Sequence, residues 1–548
     1  MIKSFKNIAL SLVAGCGLAA TLTACSDWDN HYEPTLADGS NATLWEQMKA
    51  NPQLSDFCEV LDQTRVFRMH RKTEVSYAQL LNSGQAFTVI APVNGTFDKD
   101  SLIRLTETAP GDSIVEKFFV FNHLSRMATS MKATPQKLRL LNGKDVNMTE
   151  STIQGVTILE RNKHALNGVI HVASHALPYS YNLYEALCDD PDVSLVGESI
   201  RQYAWDEFNP DASVSIGVVD GVPVYIDSVV YEYNRMLDAI GELNSEDSLF
   251  WVVAPSSAGW QKAWETTSKY FTYDQSYQKA DSLQRYWTNR ALLDDAVFNM
   301  TDQKTTTDSL VSVPYLNWRK SYVAGKPVYH VFHKPFEPGG ILNGAQKMEC
   351  SNGVLYKTDE WPFTPEQTFF KELWTEGETT WLILEEKLCR YAAISEVADS
   401  ISEGRYLQII PTQSTANWEI TYRLDNVLSG EYDVCAIILP QTVSNPDATK
   451  LKPCKFKATI NYVATDGSVK SFDCNKDSNK DGFISDPEKV DTVVLAEAFP
   501  FPTTNFNQST SKVSLTLKCS ITARQNANYS REMLLDCIYL RPRTSKPE

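Results

Sequence analysis

At 548 residues, with 43% hydrophobic and 11% aromatic residues, the chain exceeds what one hydrophobic core accommodates and is too apolar to remain disordered, so about three or four folded units are expected. Its 68 acidic against 51 basic residues leave a formal charge of −17, which repels phosphate backbones and anionic lipid headgroups while favouring cations and neutral ligands such as sugars; nucleic-acid binding is not expected. Eleven cysteines include no Cys-x-x-Cys pair, which argues against a zinc knuckle or a thioredoxin-type redox site.

Residues 1–25 place Lys3 and Lys6 before an apolar run that ends in Leu22-Thr23-Ala24-Cys25. This is the layout of a secretory signal, and it resembles a bacterial lipoprotein signal. The resemblance implies that residues 1–24 are cleaved and that Cys25 is lipidated. Three acyl chains, at about 0.8 kcal/mol per buried CH2, anchor a protein without a spanning helix, and no later segment approaches the roughly 20 consecutive apolar residues such a helix needs. Loss of Lys3 and Lys6 takes the charge from −17 to −19; loss of Cys16 and use of Cys25 leave nine cysteines, which cannot all pair. Residues 25–40 form an acidic linker in which Asp27 and Asp29 stand out, and Ser26-Asp27-Trp28-Asp29-Asn30 resembles the export signal that carries lipoproteins of gut anaerobes to the outside. The expected location is the outer membrane, lipid-anchored and facing the exterior.

Within residues 41–180, Phe87-Thr88-Val89-Ile90-Ala91-Pro92 reads as a β-branched strand closed by a turn, with Phe97 entering a helical stretch. Phe118–Leu124 places apolar residues on a helix face with His123 near its end, and Asn167-Gly168 supplies a tight turn before the Val169-Ile170-His171-Val172 strand. These three segments, in this order, resemble a fasciclin domain, a compact α/β module of cell-surface and matrix contacts. Asn122 departs from the tyrosine that the family places before its histidine. The resemblance implies binding or adhesion outside the cell, with His123 and His171 as hydrogen-bonded packing elements instead of a metal or proton-transfer pair.

The pattern repeats across 181–365. Phe250-Trp251-Val252-Val253-Ala254-Pro255 echoes the opening strand, and Ser351-Asn352-Gly353-Val354-Leu355-Tyr356 echoes the closing turn, which together resemble a second, divergent fasciclin domain. Its signatures lie farther apart than in the first copy, which predicts insertions at 302–316 and, before the opening strand, at 220–232.

From 366 to 548 the chain reads as short strands at 380–384, 405–410, 418–423, 432–439, 456–463, 492–496, 513–517 and 534–540, a spacing that favours a β-sandwich and looks like the jelly-roll modules that bind carbohydrates. The expected fold class is therefore multidomain: two α/β (α+β) fasciclin domains followed by an all-β, jelly-roll-like sandwich. Cys435, Cys454, Cys474, Cys519 and Cys537 fall among these strands, where small buried hydrophobes are the plain reading and disulfides the other. The sharpest chemical motif runs from Asp477 to Glu488. Oxygen donors at Asp477, Asn479, Asp481, Ser485 and Glu488, with the Phe483 carbonyl and Gly482 at the sixth position, match an EF-hand-type Ca²⁺ loop, here between strands instead of helices. A solvated acidic turn is the alternative.

No nucleophile elbow, His-Glu-x-x-His, P-loop or Gly-x-Gly-x-x-Gly fingerprint occurs, and all eight histidines lie at or before His333. Acidic residues such as Glu385, Glu386 and Glu419 keep a paired-carboxylate glycosidase open. Trp361, Trp374 and Trp381 are candidates for stacking on sugar rings, with packing at a domain junction as the other reading. The chain is thus expected to be a non-enzymatic surface lipoprotein for adhesion or glycan capture. Proteins of this build resemble accessory subunits beside a TonB-dependent transporter and its glycan-binding lipoprotein. A glycan-processing hydrolase with its site in the β-sandwich is the alternative.

Overall fold

The computed structural model describes residues 41–68, 71–219, 222–301, 304–313, 329–395, 401–446, 450–476, 479–508 and 510–543. Cys25, Asp27, Asp29 and Asp477 lie outside them. The chain divides into two compact units: residues 1–179 with 213–228, and residues 180–212 with 229–548.

The first unit is organised by two parallel strands, Phe87–Pro92 and Gly168–Ala173, in register from Phe87↔Gly168 to Pro92↔Ala173. Both are buried along their whole length, as strands covered on two faces must be. The alternation of strand side chains divides them between two cores. Phe87, Val89, Ala91, Ile170 and Val172 pack with Leu44, Met48, Phe57 and Leu61 of the helices Leu44–Ala50 and Ser55–Gln63. Ile90 and Ala173 turn the other way, onto Leu138, Val146, Met148 and Ile153 of the antiparallel half of the sheet.

One side chain ties strands to helices. Asn167 accepts from the Leu44 amide (2.8 Å) and donates to the carbonyls of Leu81 (2.9 Å) and Ser83 (2.6 Å). Gly168 follows at φ +153°, where a Cβ would lie 1.9 Å from the Phe87 carbonyl oxygen, so no larger residue fits. The segment expected as a regular helix at 118–124 is instead a π-helical stretch, Glu116–Val120, then a 3-10 turn, Phe121–His123, running into the strand Leu124–Ser125. Asn122 stabilises this turn, donating to the Leu177 carbonyl (3.0 Å) and accepting from Asn142 (3.0 Å).

The second unit repeats the strand register and the asparagine anchoring of the first. Phe250–Pro255 and Gly353–Thr358 run parallel from Phe250↔Gly353 to Pro255↔Thr358. Asn352 accepts from the Leu183 amide (2.9 Å) and donates to the carbonyls of Leu243 and Ser245 (both 2.8 Å). Gly353, at φ +151°, brings its Cα where a Cβ would meet the Phe250 carbonyl oxygen at 1.8 Å. The helices Leu183–Asp189 and Ser194–Arg201 stand where Leu44–Ala50 and Ser55–Gln63 stand in the first copy. The repeats differ where insertions are expected. Between the anchoring bonds Tyr77 N–H to Thr64 O and Arg235 N–H to Tyr203 O (3.2 Å each), the first has the hairpin Arg65–Arg68/Arg71–Ser76 and the second a long one, Ala204–Val219/Val222–Asn234. The described part of 302–316 holds the strand Ser309–Val311, paired with Val331–His333.

Residues beyond 366 form two six-stranded sheets in which every described pairing is antiparallel. Seven of the eight expected strand segments are found within a few residues of their expected bounds; 380–384 opens as a 3-10 turn, Thr380–Leu382, before the strand Ile383–Lys387. Leu407, Ile409 and Ile538 of one sheet share a core with Ile420, Phe456 and Leu517 of the other. That core continues into the helical part of the same unit, where the Trp287 ring meets Phe506 edge-on at 4.9 Å and the Tyr273 hydroxyl donates to the Phe506 carbonyl (3.0 Å).

The nine cysteines from Cys58 to Cys537 are free thiols, and the five beyond residue 430 are buried. Burial pushes Cys58 and Cys435 up to about 11 and Cys474 up to about 12, as expected for small hydrophobes in a core. Among the described residues no helix is long and apolar enough to cross a membrane.

Candidate ligand-binding cleft

A cleft of about 470 Å³ opens in the second unit between three helices. Each helix contributes residues spaced four apart, hence on one face: Leu195, Glu198, Ser199 and Gln202 from and just beyond Ser194–Arg201; Trp260, Gln261, Trp264 and Glu265 from Ser257–Ser268; Arg285 and Asn289 from Ala280–Leu293. Ser256 caps the middle helix by accepting from the Gly259 amide (3.1 Å). Gly259 lets the helix lie against the end of the closing strand, where a Cβ would sit 2.3 Å from the Asp359 carbonyl oxygen.

The floor is aromatic and the rim polar, the usual make-up of a ligand pocket. Trp260 is buried and edge-on to Trp361 at 6.0 Å. The Trp264 indole N–H donates to Asn289 Oδ1 (3.0 Å), and Asn289 donates onward to the Tyr203 hydroxyl (3.2 Å), so the half-buried ring is held in one orientation. Gln202, Gln261, Glu198, Glu265 and Arg285 are exposed around it, with Gln261 donating to Glu265 (3.1 Å). Ser199 is committed to its own helix, donating to the Val196 carbonyl (2.6 Å). The arrangement can stack on a flat apolar face and exchange hydrogen bonds with hydroxyls or amides around it.

The three tryptophans singled out in the sequence occupy different settings. Trp361 packs on Trp260 and, at 4.9 Å, on Phe363, and lines a smaller cleft of about 140 Å³ along the same helix Ser257–Ser268. Trp374 lies against Tyr539 (4.4 Å), and Trp381 is 62% exposed in its 3-10 turn. Trp260 and Trp264 escaped the sequence reading, although their four-residue spacing was the available signal.

In the loop 479–488, Asn479 sits at φ +52° and its carbonyl accepts from Asn475 (3.0 Å) and Gly482 (2.7 Å). The Phe483 side chain is buried in a short strand against Phe456, the Ser485 hydroxyl accepts from the Cys454 amide (3.0 Å), and Asp481 and Glu488 are exposed. Among the described residues, no three His, Cys, Asp or Glu side chains are grouped to hold a metal ion.

The remaining titratable candidates are structural in their contacts. His123 Nδ1–H donates to the Phe119 carbonyl (2.7 Å) and its Nε2 accepts from the Leu177 amide (3.0 Å); full burial lowers it to about 4. His171 accepts from the Asn162 amide (3.2 Å) and donates to the Thr129 carbonyl (3.0 Å). Glu385 and Glu419 flank Lys387 at 2.9 and 3.2 Å on an open sheet surface, with Lys518 on the far side of Glu419 (3.3 Å). Asp536 is different: burial, aided by the charges of Glu376 and Glu378, pushes it up to about 7, while the Ser402 amide donates to it (3.0 Å) and the Ser402 hydroxyl to Glu376 (3.1 Å).

Residues 62–178 match the family model of the Fasciclin domain. No curated protein matches the chain. Among solved structures, a FAS1 domain pair from the insect cell adhesion molecule Fasciclin I is 12% identical, covering 52% of this chain and 90% of that one at a TM-score of 0.18. A Paenibacillus xanthan lyase is 16% identical over 31% of this chain, which spans 13% of the lyase, at a TM-score of 0.20. The CBM22-1 xylan-binding domain of Paenibacillus barcinonensis Xyn10C is 12% identical, covering 32% of this chain and 87% of that domain, also at 0.20. Superpositions this loose carry no argument about function.

Proposed function

We propose that this protein is a non-enzymatic capture or adhesion protein of the cell surface, and that its ligand, a neutral glycan, enters the cleft between Trp264 and Arg285. The observation that carries this reading is the fixed, half-buried Trp264 ring in a concave site rimmed by the hydrogen-bonding groups of Gln202, Gln261, Glu198, Glu265 and Arg285. The Fasciclin match at 62–178, and the repetition of its Asn-Gly anchoring in the second unit, support two fasciclin domains in tandem. The two antiparallel sheets with a shared core support a C-terminal β-sandwich of jelly-roll type. The leader ending at Cys25 supports a lipid-anchored, exterior-facing protein, and association with a TonB-dependent transporter and its glycan-binding lipoprotein is part of the same proposal.

The test is a polysaccharide array and pull-down on the chain from Ser26 onward, with Ca²⁺ and with chelator. Retention of a neutral polysaccharide that Trp264→Ala weakens supports the reading; capture of an outer-membrane protein alone replaces it with a purely structural subunit. Ca²⁺ in the 477–488 loop is read separately. Added Ca²⁺ is expected to raise the melting temperature of the second unit, and Asp481→Asn with Glu488→Gln to abolish the rise; a chelator-insensitive melt leaves a solvated turn.

A further inference from the structure

We infer that the smaller cleft along the helix Ser257–Ser268 is a binding site for a neutral monocyclic phenol, one aromatic ring carrying one hydrogen-bonding oxygen. Ala263, Trp361, Phe363 and Phe369 supply its apolar walls. It draws on helix residues 259, 262, 263, 266 and 267, whereas the tryptophan cleft draws on 260, 261, 264 and 265, so the two lie on different faces of the helix. Its volume of about 140 Å³ is that of a single ring; an engineered apolar cavity of about 150 Å³ takes up benzene. Each wall ring is packed edge-on against a second one, Phe363 on Phe332 (5.0 Å), Phe369 on Tyr270 (5.3 Å) and Trp361 on Trp260 (6.0 Å). The walls are therefore in place before a ligand arrives, and their faces and edges suit another aromatic ring.

A buried hydroxyl selects the oxygen. Thr267 lines the cleft and is 3% exposed, and its hydroxyl has no hydrogen-bond partner among the described residues. Its neighbours on the helix are engaged: Thr266 donates to the Lys262 carbonyl (3.0 Å) and Ser268 to the Glu265 carbonyl (3.2 Å). A hydroxyl so enclosed exchanges its hydrogen bond with whatever occupies the cleft, and an occupant without a polar atom leaves it unpaired. The charged pair on the lining, Lys262 and Glu360 at 2.9 Å, is neutral as a pair and favours neither an anion nor a cation. A sugar ring fits poorly, because it would press hydroxyls from nearly every carbon against three aromatic walls. A phenol turns its ring to those walls and its oxygen to Thr267.

The probe is para-fluorophenol, titrated with the chain from Ser26 onward and followed by fluorine NMR, with fluorobenzene as the analogue that lacks the hydroxyl. Wild-type protein is expected to bind fluorobenzene about fivefold more weakly than para-fluorophenol. Thr267→Val keeps the shape and removes the hydroxyl; it is expected to weaken para-fluorophenol about fivefold and to leave fluorobenzene unchanged. Ala263→Leu fills the cleft and is expected to abolish binding of both, while Trp264→Ala in the neighbouring cleft leaves both bound. Equal affinity for the two probes, or a Thr267→Val variant that treats them alike, removes the hydrogen bond and overturns the proposal. Binding that survives Ala263→Leu and is lost in Trp264→Ala places the ring in the tryptophan cleft and overturns it as well. Because para-fluorophenol and polysaccharide are read on separate variants, failure of this site is distinguishable from failure of glycan capture.

Discussion

The two repeats share a skeleton and differ in what they hang on it. Parallel register, anchoring asparagine and crowded glycine are the same in both, because each satisfies a constraint that the crossing of strand and helix imposes on backbone atoms. Side chains two turns away are free of that constraint. Counted from the opening strand, Trp260 falls where the first repeat has Phe97, and Trp264 where it has Ser101. Phe97 lies against Phe119 (5.0 Å) and Trp260 against Trp361 (6.0 Å), so both copies place an aromatic ring at the first position, and the copies differ at the second. The helix after the opening strand thus carries a half-buried indole in one copy and a serine in the other, on the same skeleton.

The largest expected effect breaks the shared skeleton. Gly168→Ala and Gly353→Ala each force a Cβ to within 2 Å of a carbonyl oxygen and are expected to cost about 3 kcal/mol or more. In calorimetry Gly168→Ala should lower the transition that carries the first unit, and Gly353→Ala the one that carries the second with its sheets; a wild-type melt left in place by either variant would refute the crowding at that glycine.

Next in size is pH. His123 is held neutral to about 4 in the folded first unit but takes up a proton near 6.5 when unfolded. Its contribution is complete above 6.5 and lost as pH falls toward 4, about 2 kcal/mol at pH 5. Glu116, raised by burial, works against it, so the comparison is with His123→Phe, whose first-unit stability should fall less between pH 7 and 5. Asp536, raised to about 7, has the opposite sign: its buried charge destabilises the second unit above that pH, and acidification from 7 to 5 relieves it. Asp433, held down between Arg541 and Arg543, titrates below this window. Acidification that shifted both transitions alike, in wild type and His123→Phe, would count against these assignments.

The smallest effect sharpens the functional difference. Trp264→Ala is expected to weaken glycan retention about tenfold, roughly 1.4 kcal/mol, with the second unit still folded but melting lower for the loss of the ring's packing and its bond to Asn289, and Ser101→Ala to leave retention unaltered.

The sequence was most readable where pattern and burial coincide. The opening and closing strands are continuous apolar runs because both faces are covered, and the asparagine-glycine step announces the close approach. The strand Cys389–Ser395 went unseen because it is largely exposed at a sheet edge and its alternation is blunted. The π-helical stretch Glu116–Val120 carries helical periodicity in its side chains, and only the bonds around Asn122 and His123 reveal the change of pitch. The tryptophan cleft was missed because Trp260 and Trp264 read equally well as core, and tertiary placement of Asn289 is what turns one of them toward solvent.

The buried thiols give this protein an internal clock. With Cys435, Cys454, Cys474, Cys519 and Cys537 enclosed and their thiolate forms disfavoured by burial where it is resolved, a maleimide or disulfide reagent can reach them only while the second unit is open. Cys58 offers the same reading for the first. The rate at which label appears at each position then measures how often each unit opens in the intact chain, with no probe introduced and no residue altered.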